Sequence, residues 1–140
     1  LVDLADGRVN AERRLGDAVT ASGAASGGVF ALGARSGAVW GLDQRTLAVV
    51  WQDGFGAPFD HTSFTITPRG DFASTAACGD IVCRDAASGT FLWRSSQILG
   101  LPDQGVRLDV TPVFTPWGDM YAQHMTAPST ALLFQTLRED

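Results

Sequence analysis

The stretch from Gly28 to Trp51, GVFALGARSGAVWGLDQRTLAVVW, is echoed by Gly70 to Trp93, GDFASTAACGDIVCRDAASGTFLW. Each copy opens on glycine, has Phe two residues later, a glycine at its tenth position, Asp at its sixteenth and Trp at its twenty-fourth. A third Asp, Asp3, sits in a matching Asp–Ala–Gly context, so Asp3, Asp43 and Asp85 are spaced by 40 and 42 residues. A period of this length marks a chain built of stacked supersecondary units rather than one continuous core. The segment TPRGD at 67–71 returns as TPWGD at 115–119, inside a third unit that begins at 107.

Inside each unit the pattern is one of short strands between glycine-containing turns. The reading places strands at Asp17 to Ala21, Val29 to Arg35, Ala38 to Leu42 and Ala48 to Trp51, with SGAASGG at 22–28 as a glycine-rich turn. The next unit repeats them at Ser63 to Thr67, Asp71 to Ala77, Ile81 to Arg84 and Thr90 to Trp93. A degenerate unit covers 107–135, and Leu1 to Ala11 reads as the end of a preceding one. Sixteen glycines, six prolines and only 18% charged residues suit tight turns and short strands. Along Asp71 to Cys78 both alternating faces are small or apolar, which fits sheets covered on both sides.

The net charge of −5 argues against a nucleic-acid surface, which needs clustered cations. No apolar run is long enough to span a bilayer. Cys78 and Cys83 flank a turn; with Cys78 opposite Ile81, Cys83 would face Ala76, leaving the sulfurs diagonal and too far apart to bridge easily. They read as small buried thiols.

The run Asp85 to Trp93, DAASGTFLW, resembles the tryptophan-docking repeat of the quinoprotein-like (PQQ-like) β-propellers, in which Asp, a Thr/Ser–Gly pair and Trp recur at this spacing. Asp43 to Trp51 is similar but has Leu47 in place of the glycine, and Asp3 to Ala11 has Ala11 in place of the Trp. The resemblance implies an all-β fold of antiparallel four-stranded propeller blades, about three of them, with blades at 17–51 and 63–93. Asp43, Trp51, Asp85, Gly89 and Trp93 are then the structural docking residues: Asp accepts bonds from its turn, Gly89 takes a left-handed conformation, and Trp bridges to the next blade. About three blades do not close a ring, so the chain is expected to be part of a larger propeller or to assemble with copies of itself.

The same placement sorts the loops. Ser36–Gly37, Cys78 to Asp80 and the linkers 52–62 and 94–106 share the face that carries ligands in the resembled family. Candidate ligand-face residues are Asp53, Asp60, His61, Arg94, Asp103, Arg107 and His124. Asp60–His61 has the composition of a base held by a carboxylate, but no nucleophile accompanies it, and an ordinary turn pair is the simpler reading. No residue matches the catalytic or calcium positions of a quinone-dependent dehydrogenase. The expectation is a non-catalytic propeller segment with no cofactor or metal, binding a protein partner or its own remaining blades. The alternatives are a fragment of a PQQ-dependent dehydrogenase, using PQQ and calcium with its catalytic residues outside this chain, and a regulatory propeller attached to an adenylating or other enzyme domain. A bacterial protein of this kind would be periplasmic or secreted.

Overall fold

A computed structural model describes residues 1–54, 63–75, 80–99, 106–107, 111–126 and 132–138. The first sheet has the order β1(Ala24–Ser26), β2(Val29–Gly33), β3(Ala38–Asp43), β4(Val49–Gly54), all antiparallel neighbours. The second repeats it with β5(Phe64–Ile66), β6(Phe72–Thr75), β7(Ile81–Arg84) and β8(Phe91–Arg94), followed by the short helix α1(Ser95–Leu99). In the third, β11(Asp119–Thr126) pairs with β12(Leu132–Arg138), with β10(Val113–Phe114) and, near its end, with β9(Val106–Arg107). These are antiparallel propeller blades, as the repeat implied.

Burial on both faces holds the stack together. Ala31, Val39 and Trp51 of the first blade join Phe64, Phe72 and Ala86 of the second in one apolar cluster. The neighbouring positions Leu32, Trp40 and Leu42 point the other way and pack with Leu15 and Phe30. The second blade meets the third through Ala73, Ile81 and Trp93 against Phe114 and Met120. Every residue of β6 and β7 is buried, which explains why their sequences do not alternate in polarity.

Two local readings need correction. The stretch 22–28 is not one turn: β1 lies within it, and only Gly27 and Gly28, at φ +56° and +82°, make the reversal. The expected strand at 17–21 is not a full strand; it runs beside the end of β2 through the Val19–Ala34 bridge, the Thr20 and Ala21 amides, which donate to the Gly33 carbonyl, and the Arg35 amide, which donates to the Ala18 carbonyl. The two pairings along β2 are out of step around Ser22–Gly23. A Cβ at Gly23 would lie 2.3 Å from the Phe30 ring, so the absent side chain gives that ring its place. The second correction concerns Cys83, which is opposite Ala73 rather than Ala76, because Thr75 already pairs with Ile81 and the connection is longer than a tight turn. Cys83 is buried as expected, whereas Cys78 lies outside the described residues.

Candidate functional site

Three turns, at Asp3, Asp43 and Asp85, are built alike. In each the Asp amide donates to the carbonyl five residues on, at 2.8–2.9 Å, and the amide four residues on donates back to the Asp carbonyl. The Asp43 carboxylate accepts from the amides of Arg45 and Thr46 and from the Thr46 hydroxyl, and Asp85 accepts from the amide and hydroxyl of Ser88. The hydroxyl bonds first, then the amide bonds, hold both carboxyls below their ordinary range. The fourth position after each Asp has positive φ: Gly7 at +73°, Leu47 at +57° and Gly89 at +71°. The first and third are glycines; Leu47 adopts the same conformation with a side chain attached.

Trp51 is the wedge between blades. Its Nε1–H donates to the Ala86 carbonyl at 3.0 Å, inside the docking turn of the next blade. A Cβ on Gly41 would lie 2.1 Å from the indole, and one on Gly89 2.5 Å. The ring is therefore seated between a glycine of its own blade and a glycine of the next. Trp93 repeats the role against the third blade, packing beside Met120 and Phe114.

On the expected ligand face, Gly54 pairs with Ala38 beside the Ser36–Gly37 turn, and Asp80 lies beside the start of α1. Their charged residues are engaged in structural bonds. Asp53 bonds Arg84 of the next blade, whose guanidinium also donates to the Gly89 carbonyl at 3.2 Å. Asp80 accepts from the Ser95 hydroxyl at 2.6 Å, the Ser96 amide at 2.9 Å and the Ser96 hydroxyl at 2.7 Å. Arg94 lies 3.7 Å from Asp80 and stacks over the Phe91 ring. Arg84, Asp80, Ser95 and Ser96 are participants that the sequence reading did not single out; Arg84 at the residue before the docking Asp was the available signal.

Arg107 and His124 come to one end of the third sheet, since Arg107 pairs with Met125. Asp60, His61 and Asp103 lie outside the described residues. Among the described residues no three His, Cys, Asp or Glu side chains gather as a metal site. Among the described residues no helix is long and apolar enough to cross a membrane.

A different feature lies on the outer strands. Val49 and Val50 of β4 are 36% and 50% exposed, and their counterparts Phe91 and Leu92 of β8 are 40% and 44% exposed. Each pair immediately precedes a docking tryptophan, so the apolar rim recurs from blade to blade.

Sheet order, docking turns and inter-blade tryptophans together define a stack of antiparallel β-propeller blades. Among solved structures, the chain is similar to BamB from Moraxella catarrhalis, with TM-score 0.71 and 23% identity over 88% of this chain and 39% of that one. It is also similar to the WD40 β-propeller domain of Doa1, with TM-score 0.57 and 16% identity over 80% of this chain and 34% of that one. A third likeness is to the quinohemoprotein alcohol dehydrogenase of Comamonas testosteroni, with TM-score 0.54 and 17% identity over 79% of this chain and 18% of that one. No family model and no curated protein sequence matches the chain. The chain spans well under half the length of each of these structures.

Proposed function

We propose that the chain is a non-catalytic segment of a β-propeller that serves as a protein-binding or scaffolding surface, with no quinone or metal held by these residues. The repeated apolar pairs Val49–Val50 and Phe91–Leu92 on outer strands carry the reading. An outermost strand offers unpaired backbone groups on one side, and a partner strand can add there while apolar side chains supply the contact. Of the described charged groups on the expected ligand face, Asp53 bonds Arg84 of the next blade, while Asp80 and Arg94 are engaged within the second blade. Natural proteins protect such edges or use them, and a protein of extended conformation, or a further part of the same propeller, is the occupant that fits.

The test places a photoactivatable cross-linker at Val50 or Leu92 in the natural full-length protein, with Arg45 as the control position. The expected result is one shared cross-linked partner from both rim positions and none from Arg45. That partner, purified, should then bind with an affinity lowered at least tenfold by Leu92→Glu. Dye-linked oxidation of an alcohol or sugar that depends on added PQQ and calcium would overturn the reading in favour of a quinoprotein dehydrogenase, and cross-linking equally from all three positions would remove the rim as the surface.

A further inference from the structure

The outermost strands β4 and β8 share an irregularity that decides which of their side chains stand together. Leu42 pairs with Val49 and Gly41 with Trp51, and in the next blade Arg84 pairs with Phe91 and Cys83 with Trp93, so Val50 and Leu92 are each an extra residue. An extra residue resets the alternation of the pleat. Phe91 and Arg94, three apart, would face oppositely in a regular strand. Here their partners on β7 are Arg84 and Val82, two apart, and both side chains share one face.

That face looks toward the first blade, because the Arg84 guanidinium bonds Asp53 of β4. Arg94 folds over the Phe91 ring, its Cζ 5.7 Å from the centroid. The rim seam between the two blades thus has Asp53 on one wall, buried Arg84 beneath, and Phe91 and the Arg94 side chain on the other wall, 40% and 39% exposed. Both walls belong to complete four-stranded sheets. The carboxylates are already committed: Asp53 to Arg84, and Asp80 to the Ser95 and Ser96 hydroxyls and the Ser96 amide. Arg94 comes within 3.7 Å of Asp80, yet its Nε has no hydrogen-bond partner among the described residues. In β4 the matching positions are Val49 and Gln52, so of these two blades it is the second that sets a cation beside its exposed apolar side chain.

We propose that this seam, beside β8, binds an extended segment of a partner protein in which an acidic residue stands two positions from an apolar one. The proposal rests on the protein-binding reading above and names the partner's chemistry. A guanidinium held over an aromatic ring keeps its planar fork available to a carboxylate, and a charge-assisted bond there is stronger than one between neutral groups. The acidic residue meets Arg94 while the apolar one covers Phe91. Two residues of an extended chain advance ~7 Å, the same step that separates Arg84 from Val82 beneath them. A basic residue in place of the acid would find Asp53 and Asp80 already bonded and Arg94 repelling it.

Short random peptides displayed on phage and selected on the natural full-length protein test this. Enrichment of an acidic residue two positions from an apolar one is expected. A synthetic peptide of the enriched sequence, titrated calorimetrically, should bind Arg94→Gln about fivefold or more weakly than wild type. Wild-type affinity should fall with added salt, and Arg94→Lys should keep that salt dependence. If Arg94→Gln does not melt cooperatively, Phe91→Ala, at an exposed position, should weaken binding likewise. The proposal is overturned if no peptide is enriched, if the enriched sequences lack the acid, or if their affinity is indifferent to salt and to the variant. A partner cross-linked from Val50 and Leu92 that binds Arg94→Gln undiminished removes this site alone, whereas absence of any rim cross-link removes the protein-binding reading with it.

Discussion

Replacing Gly41 by alanine adds one methyl group, and the structure places it 2.1 Å from the Trp51 ring. Gly41 does not have positive φ, so the backbone accepts a side chain and the whole penalty comes from the indole. The ring is confined on its other side by Gly89, where a Cβ would meet it at 2.5 Å, and by the bond to the Ala86 carbonyl. It cannot slide away without giving up that bond or the cluster with Phe72 and Phe64. Overpacking of this kind costs ~1–3 kcal/mol. In a Trp51→Ala background the obstacle is absent, and alanine in place of a strand glycine should then stabilise by ~0.5–1 kcal/mol. The double-mutant cycle should therefore show a coupling of about 1.5–4 kcal/mol between positions 41 and 51. Trp51→Ala alone should cost ~3–5 kcal/mol. Urea unfolding of the wild type, both single variants and the double variant measures all four corners. Equal destabilisation by Gly41→Ala with and without Trp51 would refute the seating of the wedge and, with it, the assignment of the inter-blade contact.

Trp93→Ala should lower stability far more than Trp117→Ala: Trp93 packs on Met120 and Phe114, whereas Trp117 is 71% exposed, and exposed substitutions usually stay within ~0.5 kcal/mol. Equal shifts in melting temperature would count against the register of the third blade. Ser95→Ala should cost ~1–3 kcal/mol, because the buried Ser95 oxygen accepts the Ile81 amide at 3.1 Å while its hydroxyl donates to Asp80; hydrogen exchange at Ile81 reports the loss directly. Asp71→Asn should stabilise at pH 7 and not at about pH 3. Burial first, and the Asp85 charge second, raise the Asp71 carboxyl above its ordinary 3.8. A carboxyl raised in the folded state favours folding when protonated, so its benefit is complete below the unfolded value and is lost as pH rises through the folded one. Asp43 and Asp85 act in the opposite direction: their depressed carboxyls stabilise above 3.8, and that contribution falls away as pH drops through their lowered values. A gain from Asp71→Asn that does not change with pH would exclude the electrostatic cause.

The parts of the fold legible in the sequence were those in which one residue type is demanded by local geometry. Asp85 and Gly89 stand out because an Asx-type turn needs a short acceptor and a left-handed residue at fixed offsets, and both needs are met within nine residues of Trp93. Inner strands were less visible, since β1 is three small residues whose pairing depends on where the Phe30 ring crosses Gly23. The candidate ligand face was read from loop position alone, which cannot reveal that Asp53 reaches across to Arg84, a residue 31 positions later.

That ion pair changes how charge on this scaffold should be interpreted. Arg84 is 6% exposed and its Nε has no hydrogen-bond partner among the described residues, while Asp53 is half-exposed. Two charges joined across blades beside a tryptophan wedge fix the relative placement of the sheets; they add little net stability, because desolvating the arginine offsets the attraction. Asp53→Ala should accordingly destabilise more than Arg84→Met, since the first strands a buried cation and the second replaces it by an apolar chain of similar length. Chemical denaturation orders the two variants, and the reverse order would mean that Asp53 is bound mainly by something other than Arg84, returning it to the set of residues free to meet a ligand.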